Sequence, residues 1–409
     1  MGGILRVKER DRRAGRWPRR LAAAVLLGAL LLPSPATAAD AGGAALLAGM
    51  EAPSVVVMDV LTGTVLLERD AHTPRFPASL TKIMTLLVIL DAVAAGRVSL
   101  DDQVEVSAEA AGWGGTQIFL APGEVMAFRD LLKAVAVASA NDSATALAEH
   151  VAGSVDGFVA EMNRRAGELG MANTRFHNPH GIDDGLELED HHMSAMDVAV
   201  AARELIRRHP DILSLTAIYR DKVRDPDAGQ CCELVNTNRM VRTVRGVDGL
   251  KTGHTSRAGF GIAATALRDN ARFLVVLMGH PSRPQRDREA ARLLDWAFAN
   301  WEPVSIIDAG ERVQRLRVHK GHVAELDVVA GDDLGVVVPR GRADQLEQEI
   351  TLAGHLTAPI DKGQVLGRLT VRHDGRPAGG VDLVAAQRVD KLTPVGLWLR
   401  LIHLTWPFR

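Results

Sequence analysis

The stretch Pro77-Ala78-Ser79-Leu80-Thr81-Lys82-Ile83-Met84-Thr85 decides how this chain is read. From Ser79 to Ala94 the residues are apolar nearly all round, which predicts a helix buried on every side. Ser79 and Lys82, three positions apart, fall on one face of that helix, one turn from each other. A serine hydroxyl is a poor nucleophile at neutral pH and needs a base beside it. A lysine serves as that base when burial and positive neighbours lower its pKa. The apolar residues Ile83, Met84, Leu86 and Leu87 supply the burial. A serine in the first turn also brings a backbone N–H and the positive helix end to a developing oxyanion.

Working outward, Val55 to Val60 and Thr64 to Glu68 read as a hairpin turning at Thr62-Gly63. Asp130 to Val151 is an Ala-rich helical stretch with a break expected near Ser139 to Asp142, where Ser, Asn and Asp favour caps and turns. Val155 to Leu169, Ser194 to Arg208 and Arg288 to Asn300 read as helices. Phe260 to Leu267 and Phe273 to Met278 read as strands joined at Asp269-Asn270. At the helix break, Ser139-Ala140-Asn141 sets a hydroxyl and an amide side by side, able to pass a proton and hold a substrate amide. Just before the first of those strands, Lys251-Thr252-Gly253 offers an edge that pairs with an extended peptide while binding its carboxylate. Gly253 would let the substrate backbone approach closely.

Singly these elements are weak; in this order, S-x-x-K, Ser-x-Asn and K-T-G form the signature of class A β-lactamases and penicillin-binding proteins. The chain resembles the low-molecular-mass penicillin-binding proteins, the serine DD-peptidases of the D-alanyl-D-alanine carboxypeptidase family. Residues 77–85 look like that family's nucleophile helix, and Ser139-Ala140-Asn141-Asp142 like its S-G-N-D with Ala replacing Gly. Asn178-Pro179-His180-Gly181, Asp248 to Thr255 and Ala358 to Gln364 fit as well. The resemblance implies that Ser79 is the nucleophile and Lys82 its base, and that Ser139 and Lys251 relay a proton to the leaving amine. It makes Asn141 the group that orients the peptide, and puts the oxyanion between the N–H groups of Ser79 and His254. Thr252 and an arginine would bind the terminal carboxylate. Spacing from Met278-Gly279 and from Leu293-Leu294 points to Arg286, with Arg283 and Arg288 as competitors. The substrate would be the peptidoglycan stem pentapeptide ending in D-Ala-D-Ala, and β-lactam antibiotics would acylate the same serine. The implied fold is α/β (α+β) and transpeptidase/β-lactamase-like, an antiparallel sheet flanked by helices.

Arg6 to Arg20 is basic, Leu21 to Leu32 is an apolar run too short to span a bilayer, and Ala36-Thr37-Ala38 offers a cleavage site. Residues 1–38 therefore read as a secretory signal peptide. Of the 48 basic and 50 acidic residues, eight and two lie in that segment, which leaves 40 against 48, a net charge of −8. No basic field remains for nucleic acid. The cysteines, Cys231 and Cys232, are adjacent and badly disposed to bridge each other, so an apolar core rather than a disulfide framework is expected to hold the exported protein. No cofactor or metal is expected: His180 and His191-His192 lack a third ligand at usable spacing and read as exposed loop histidines.

The expected organisation is a catalytic domain over 45–302, a small all-β sandwich over 304–389, and an amphipathic helix over 391–409. Arg312 to Val389 consists of short alternating segments with turns such as Asp374-Gly375. The tail carries Trp398, Leu401, Ile402, Trp406 and Phe408 among basic residues, the composition of a helix lying in the headgroups of the cytoplasmic membrane. The expected location is the periplasm or the outer face of that membrane. Among alternatives, a DD-endopeptidase would use the same residues. A β-lactamase would need a deacylating glutamate in an E-x-x-L-N context, which is missing after Asn141, and a non-catalytic binding protein would not need all of Ser79, Lys82, Ser139 and Lys251.

Overall fold

The computed structural model describes residues 38–224 and 232–393. These residues divide into one compact unit over 38–301 and a second that begins at Glu302. In the first unit α1 (Ala38–Ala48) leads into the hairpin of β1 (Ser54–Asp59) and β2 (Val65–Arg69). Asp59 closes its turn, accepting from the Thr62 N–H and hydroxyl, both at 2.7 Å. Next come α2 (Lys82–Ala94), β3 (Gln103–Glu105), α3 (Ala108–Gly112) and β4 (Val125–Ala127). The helices α4 (Phe128–Val137), α5 (Asn141–Ala152), α6 (Val155–Glu168), α7 (Ala195–Arg208) and α8 (Ile212–Thr216) follow. A short hairpin, β5 (Arg220–Val223) with β6 (Cys232–Val235), and α9 (Met240–Thr243) precede β7 (Val247–Thr255) and β8 (Gly259–Arg268). The unit ends with β9 (Ala271–His280) and α10 (Arg283–Asn300).

The main sheet has the order β2-β1-β9-β8-β7, and every pairing is antiparallel. Side chains alternate between its two faces. Val56, Met58, Leu274 and Val276 join a core with the helices α2 and α4 to α7. Val55, Val57, Phe273, Val275 and Leu277 join another with Leu293, Leu294, Ala297 and Phe298 of α10. Both faces are covered, so these strands are apolar without interruption. Helix α2 is buried from Ile83 to Ile89 because other helices and the sheet enclose it, as its all-round apolar character predicts.

Two boundaries differ from expectation. Ser79 lies in a 3-10 turn over Ala78–Thr81, and the α-helix starts only at Lys82. Helix α10 starts at Arg283 rather than Arg288. Its first turn is polar and carries Pro284, which is tolerated at a helix start, so apolar periodicity is absent there.

The second unit is all-β. Strand β10 (Trp301–Ile307) is followed by β11 (Arg312–His319), β12 (Glu325–Ala330), β13 (Leu334–Pro339) and β14 (Leu346–Leu352). The last strands are β15 (Leu356–Thr357), β16 (Val365–His373) and β17 (Arg376–Ala385). A six-stranded sheet ordered β14-β16-β17-β12-β11-β15 and the pair β10-β13 enclose one core, with Val336 and Val338 from the pair and Val328, Leu369, Val371 and Leu383 from the sheet. The predicted turn at Asp374-Gly375 is present, both residues having positive φ, as a two-residue hairpin loop requires. Lys391 bridges to Gly321 and the Leu392 N–H donates to the Lys320 carbonyl at 2.8 Å, so the chain here is still tied to the β unit rather than helical. The rest of the expected tail helix, and residues 1–37, lie outside the described residues. Among the described residues no helix is long and apolar enough to cross a membrane.

Candidate active site

The nucleophile turn is clamped from two sides. Ala78 has φ +46°, a left-handed conformation that costs a non-glycine residue about 1 kcal/mol. On one side lies β7: a Cβ on Gly253 would stand 2.8 Å from the Pro77 carbonyl oxygen and 3.0 Å from the Ser79 nitrogen. The missing side chain at Gly253 therefore admits the nucleophile turn itself, where the sequence suggested room for a substrate backbone. On the other side lies the turn Asn178 to Ile182. Its Asn178 Oδ1 accepts from the N–H groups of His180 and Gly181 at 3.2 and 2.6 Å, and its Nδ2 donates to the Ile182 carbonyl at 2.8 Å.

Lys82 is fully buried one turn beyond Ser79. Its Nζ donates to Asn141 Oδ1 at 2.6 Å and to the His180 carbonyl at 3.0 Å, and lies 3.3 Å from Ser79 Oγ. Burial, and after it the charge of Lys251, hold its pKa well below that of an ordinary lysine. A neutral amine has two N–H donors and one lone pair. The two carbonyl acceptors take the donors, and the lone pair is left for the Ser79 hydroxyl. Asn141 is oriented for this by its own Nδ2, which donates to the Gly114 carbonyl at 2.7 Å.

Ser139 occupies the break between α4 and α5 at φ +69°. Its hydroxyl is buried and has no partner among protein atoms. Lys251, on β7, is buried with its Nζ 3.2 Å from the Thr252 carbonyl. Burial, then the charge of Arg286, bring its pKa down to about 7. Arg286 is itself buried; Nη1 donates to the Gly261 carbonyl at 2.9 Å and Nε to Asp287 at 2.9 Å. Arg283 instead donates to the Thr237 carbonyl at 2.8 Å, and the Thr237 hydroxyl meets that of Thr252 at 2.8 Å. Arg288 is exposed and bonds only locally, to Gln285. His254 is exposed, its ring stacked 4.0 Å from that of Phe260.

Sequence reasoning misplaced two histidines. His180 and His191 are fully buried, not exposed loop residues. His191 Nδ1 accepts from the His177 N–H at 3.0 Å, so its proton is on Nε2, which meets the Thr81 hydroxyl at 2.9 Å. Burial, and then the neighbouring His177 and His192, lower its pKa to about 3. Also missed was Asp142, whose Oδ2 accepts from the N–H groups of Ile118 and Leu120 at 3.0 and 3.2 Å and so fixes the loop that carries Gly114. The prior sign of Asp142 and His180 was their place in the quoted tetrapeptides 139–142 and 178–181, whereas His191 stood in neither. Among the described residues no cluster of His, Cys, Asp and Glu has the arrangement of a metal site.

Residues 41–282 match the Peptidase S11 model, D-alanyl-D-alanine carboxypeptidase, and residues 301–391 match the penicillin-binding protein 5 C-terminal domain. The D-alanyl-D-alanine carboxypeptidase DacF of Bacillus subtilis (strain 168) is 35% identical over 377 residues, covering 91% of this chain and 95% of that protein. DacC of Escherichia coli (strain K12), of the same description, is 34% identical, covering 84% and 86%. Penicillin binding protein 5 from Haemophilus influenzae superposes with a TM-score of 0.73 at 31% identity, covering 84% of this chain and 98% of that one. Penicillin-Binding Protein D2 from Listeria monocytogenes, in its ampicillin-bound form, superposes with a TM-score of 0.52 at 28% identity, covering 61% and 98%. A serine and a buried amine at the edge of a helix-covered antiparallel sheet define a serine hydrolase of the penicillin-binding class. Within that class, the chain belongs to the peptidase S11 family of serine D-alanyl-D-alanine carboxypeptidases.

Proposed function

We propose that this enzyme trims peptidoglycan stem pentapeptides, with the site residues in the following roles. Thr252 and Arg286 bind the terminal carboxylate, Asn141 orients the peptide, and the N–H groups of Ser79 and His254 receive the oxyanion. Ser79 Oγ gives its proton to the Lys82 lone pair and attacks the carbonyl carbon of the penultimate D-alanine. The proton passes by way of Ser139 and Lys251 to the leaving nitrogen, the C–N bond breaks, and D-alanine departs. The remaining ester is hydrolysed when Lys82 takes a proton from water; the hydroxide adds to the acyl carbon, and Ser79 Oγ leaves with that proton. A β-lactam acylates Ser79 in the same way, but its amine stays tethered and does not diffuse off.

The observation that carries this reading is the Lys82 amine, held by two carbonyl oxygens and 3.3 Å from Ser79 Oγ. The test is purified enzyme given a fluorescent penicillin and diacetyl-Lys-D-Ala-D-Ala, beside Ser79→Ala. Labelling with D-alanine release, both lost in the variant, is the expected result. Labelling without release would mean a binding or endopeptidase role, and no labelling would reject the acyl-enzyme.

The leader and tail support a further part of the proposal: export by a signal peptide over 1–38, and attachment to the outer face of the cytoplasmic membrane through the segment after Thr393. The support is compositional, a basic-apolar-small-residue leader and a Trp- and Leu-rich tail. Truncation after Thr393 is expected to release the enzyme from membrane fractions with its activity intact; retention would overturn the anchor.

A further inference from the structure

His180 holds Lys82 through its backbone. Its backbone carbonyl accepts from Lys82 Nζ at 3.0 Å. Its ring is fully buried in the same turn, and burial followed by the Lys82 charge keeps it neutral. Ring Nδ1 accepts from the Ile182 N–H at 3.2 Å, so the single ring proton sits on Nε2. That Nε2–H is buried and has no acceptor among protein atoms. Asn178 pins the turn through the N–H groups of His180 and Gly181, and the Trp113 ring packs against the imidazole, tilted by 55° with centroids 4.0 Å apart. Buried donors are nearly always satisfied, and one left over in the residue whose carbonyl holds a catalytic amine calls for an acceptor that arrives during the reaction.

The groups around Lys82 narrow what that acceptor is. The proposed carboxylate binders, Thr252 and Arg286, belong to β7 and α10, whereas His180 stands on the loop that supports Lys82 from the helical part of the unit. The Ser139 hydroxyl, also buried without a partner among protein atoms, serves the leaving amine during acylation. The reactant still without a holder is the hydrolytic water, which must sit against Lys82 once D-alanine has gone. We propose that His180 is a positioning residue for deacylation: its Nε2–H donates to the oxygen of the attacking water while that water gives a proton to Lys82 Nζ. The water then keeps one lone pair for the acyl carbon, its O–H bond breaks toward Lys82, and the ester C–O bond breaks with that proton returned to Ser79 Oγ. The imidazole neither gains nor loses a proton.

This rests on the acyl-enzyme reading above, and the experiment separates the two. Acylation by a fluorescent penicillin and loss of the label from the acyl-enzyme are timed separately in wild type, His180→Asn and His180→Gln. Asparagine reproduces the Nδ1 position and keeps the Ile182 contact without the Nε2 donor; glutamine places an N–H near Nε2. The expected result is label loss slowed about tenfold or more relative to acylation in His180→Asn, the scale of one hydrogen bond, with most of it restored in His180→Gln. Equal slowing of both steps in the two variants, with lowered melting temperatures, would reduce His180 to a structural residue, and unchanged label loss in His180→Asn would overturn the proposal outright. Failure of wild type to label at all would instead reject the acyl-enzyme itself.

Discussion

Gly181 lies so close to Ala78 that a Cβ built on it would stand 1.8 Å from the Ala78 carbonyl oxygen. These two residues, more than a hundred positions apart, join the turn that holds Lys82 to the turn that carries Ser79. Gly181 also has φ +89°, which side chains rarely adopt.

Gly181→Ala is therefore expected to lose on the order of 3 kcal/mol of stability or more, since neither backbone can give way without moving the nucleophile. Penicillin acylation should fall beyond what the lost stability explains at a temperature where the variant stays folded. Calorimetry and acylation kinetics measure the two effects; a variant that melts and acylates like wild type would mean the contact is relaxed in solution.

The positive charge of Lys251 helps hold Lys82 neutral. Lys251→Gln should raise the Lys82 pKa, because a positive neighbour opposes protonation and its removal favours it. Acylation needs the neutral amine, so the acid limb of the acylation profile is expected to move to higher pH, alongside a lower plateau. A shift to lower pH would show that Lys82 is not the group titrating.

His191 gives a stability signature. Its folded pKa is about 3, against an ordinary value of 6.5. Above pH 6.5 the ring is neutral in both states and the native state keeps its full stability. As pH falls from there toward 3, the unfolded ring binds a proton that the buried ring refuses, and stability drops, with a ceiling of about 5 kcal/mol from this group. His191→Asn, which retains an acceptor for the His177 N–H, should flatten the decline of melting temperature between pH 6.5 and 4. Parallel curves for wild type and variant would refute the assignment.

Arg286 and Arg283 are separated by a pair of substitutions. Arg286→Gln is expected to lower kcat/KM for diacetyl-Lys-D-Ala-D-Ala by about a hundredfold or more, the scale of a lost charged hydrogen bond at a buried site. Arg283→Gln, whose guanidinium meets the Thr237 carbonyl, should cost less than about tenfold. The reverse order would move carboxylate binding to Arg283.

Much of this enzyme is written locally. The unbroken apolar runs of β1 and β9 and the all-round apolar α2 announce burial, because periodicity records which faces of an element are covered. The break at Ser139 to Asp142 and the turns at Thr62-Gly63 and Asp374-Gly375 are legible for the same reason: those residue types carry their backbone preferences with them. The short pieces, β3 to β6 and α8, are not legible, since a few residues hold too little pattern to stand above chance.

The chemistry divides along the same line. Ser79 and Lys82 are one helical turn apart, so their adjacency follows from the chain alone. What makes Lys82 a base is brought from elsewhere: Asn141 from 59 positions away, the His180 carbonyl from 98, and the Lys251 charge from a strand of the main sheet. The burial of His180 and His191, which the sequence misread, likewise depends on what packs over them. A residue's type and spacing are properties of the chain, but solvent exclusion and the field of distant charges exist only once the chain has closed around the site, and those two quantities set a pKa.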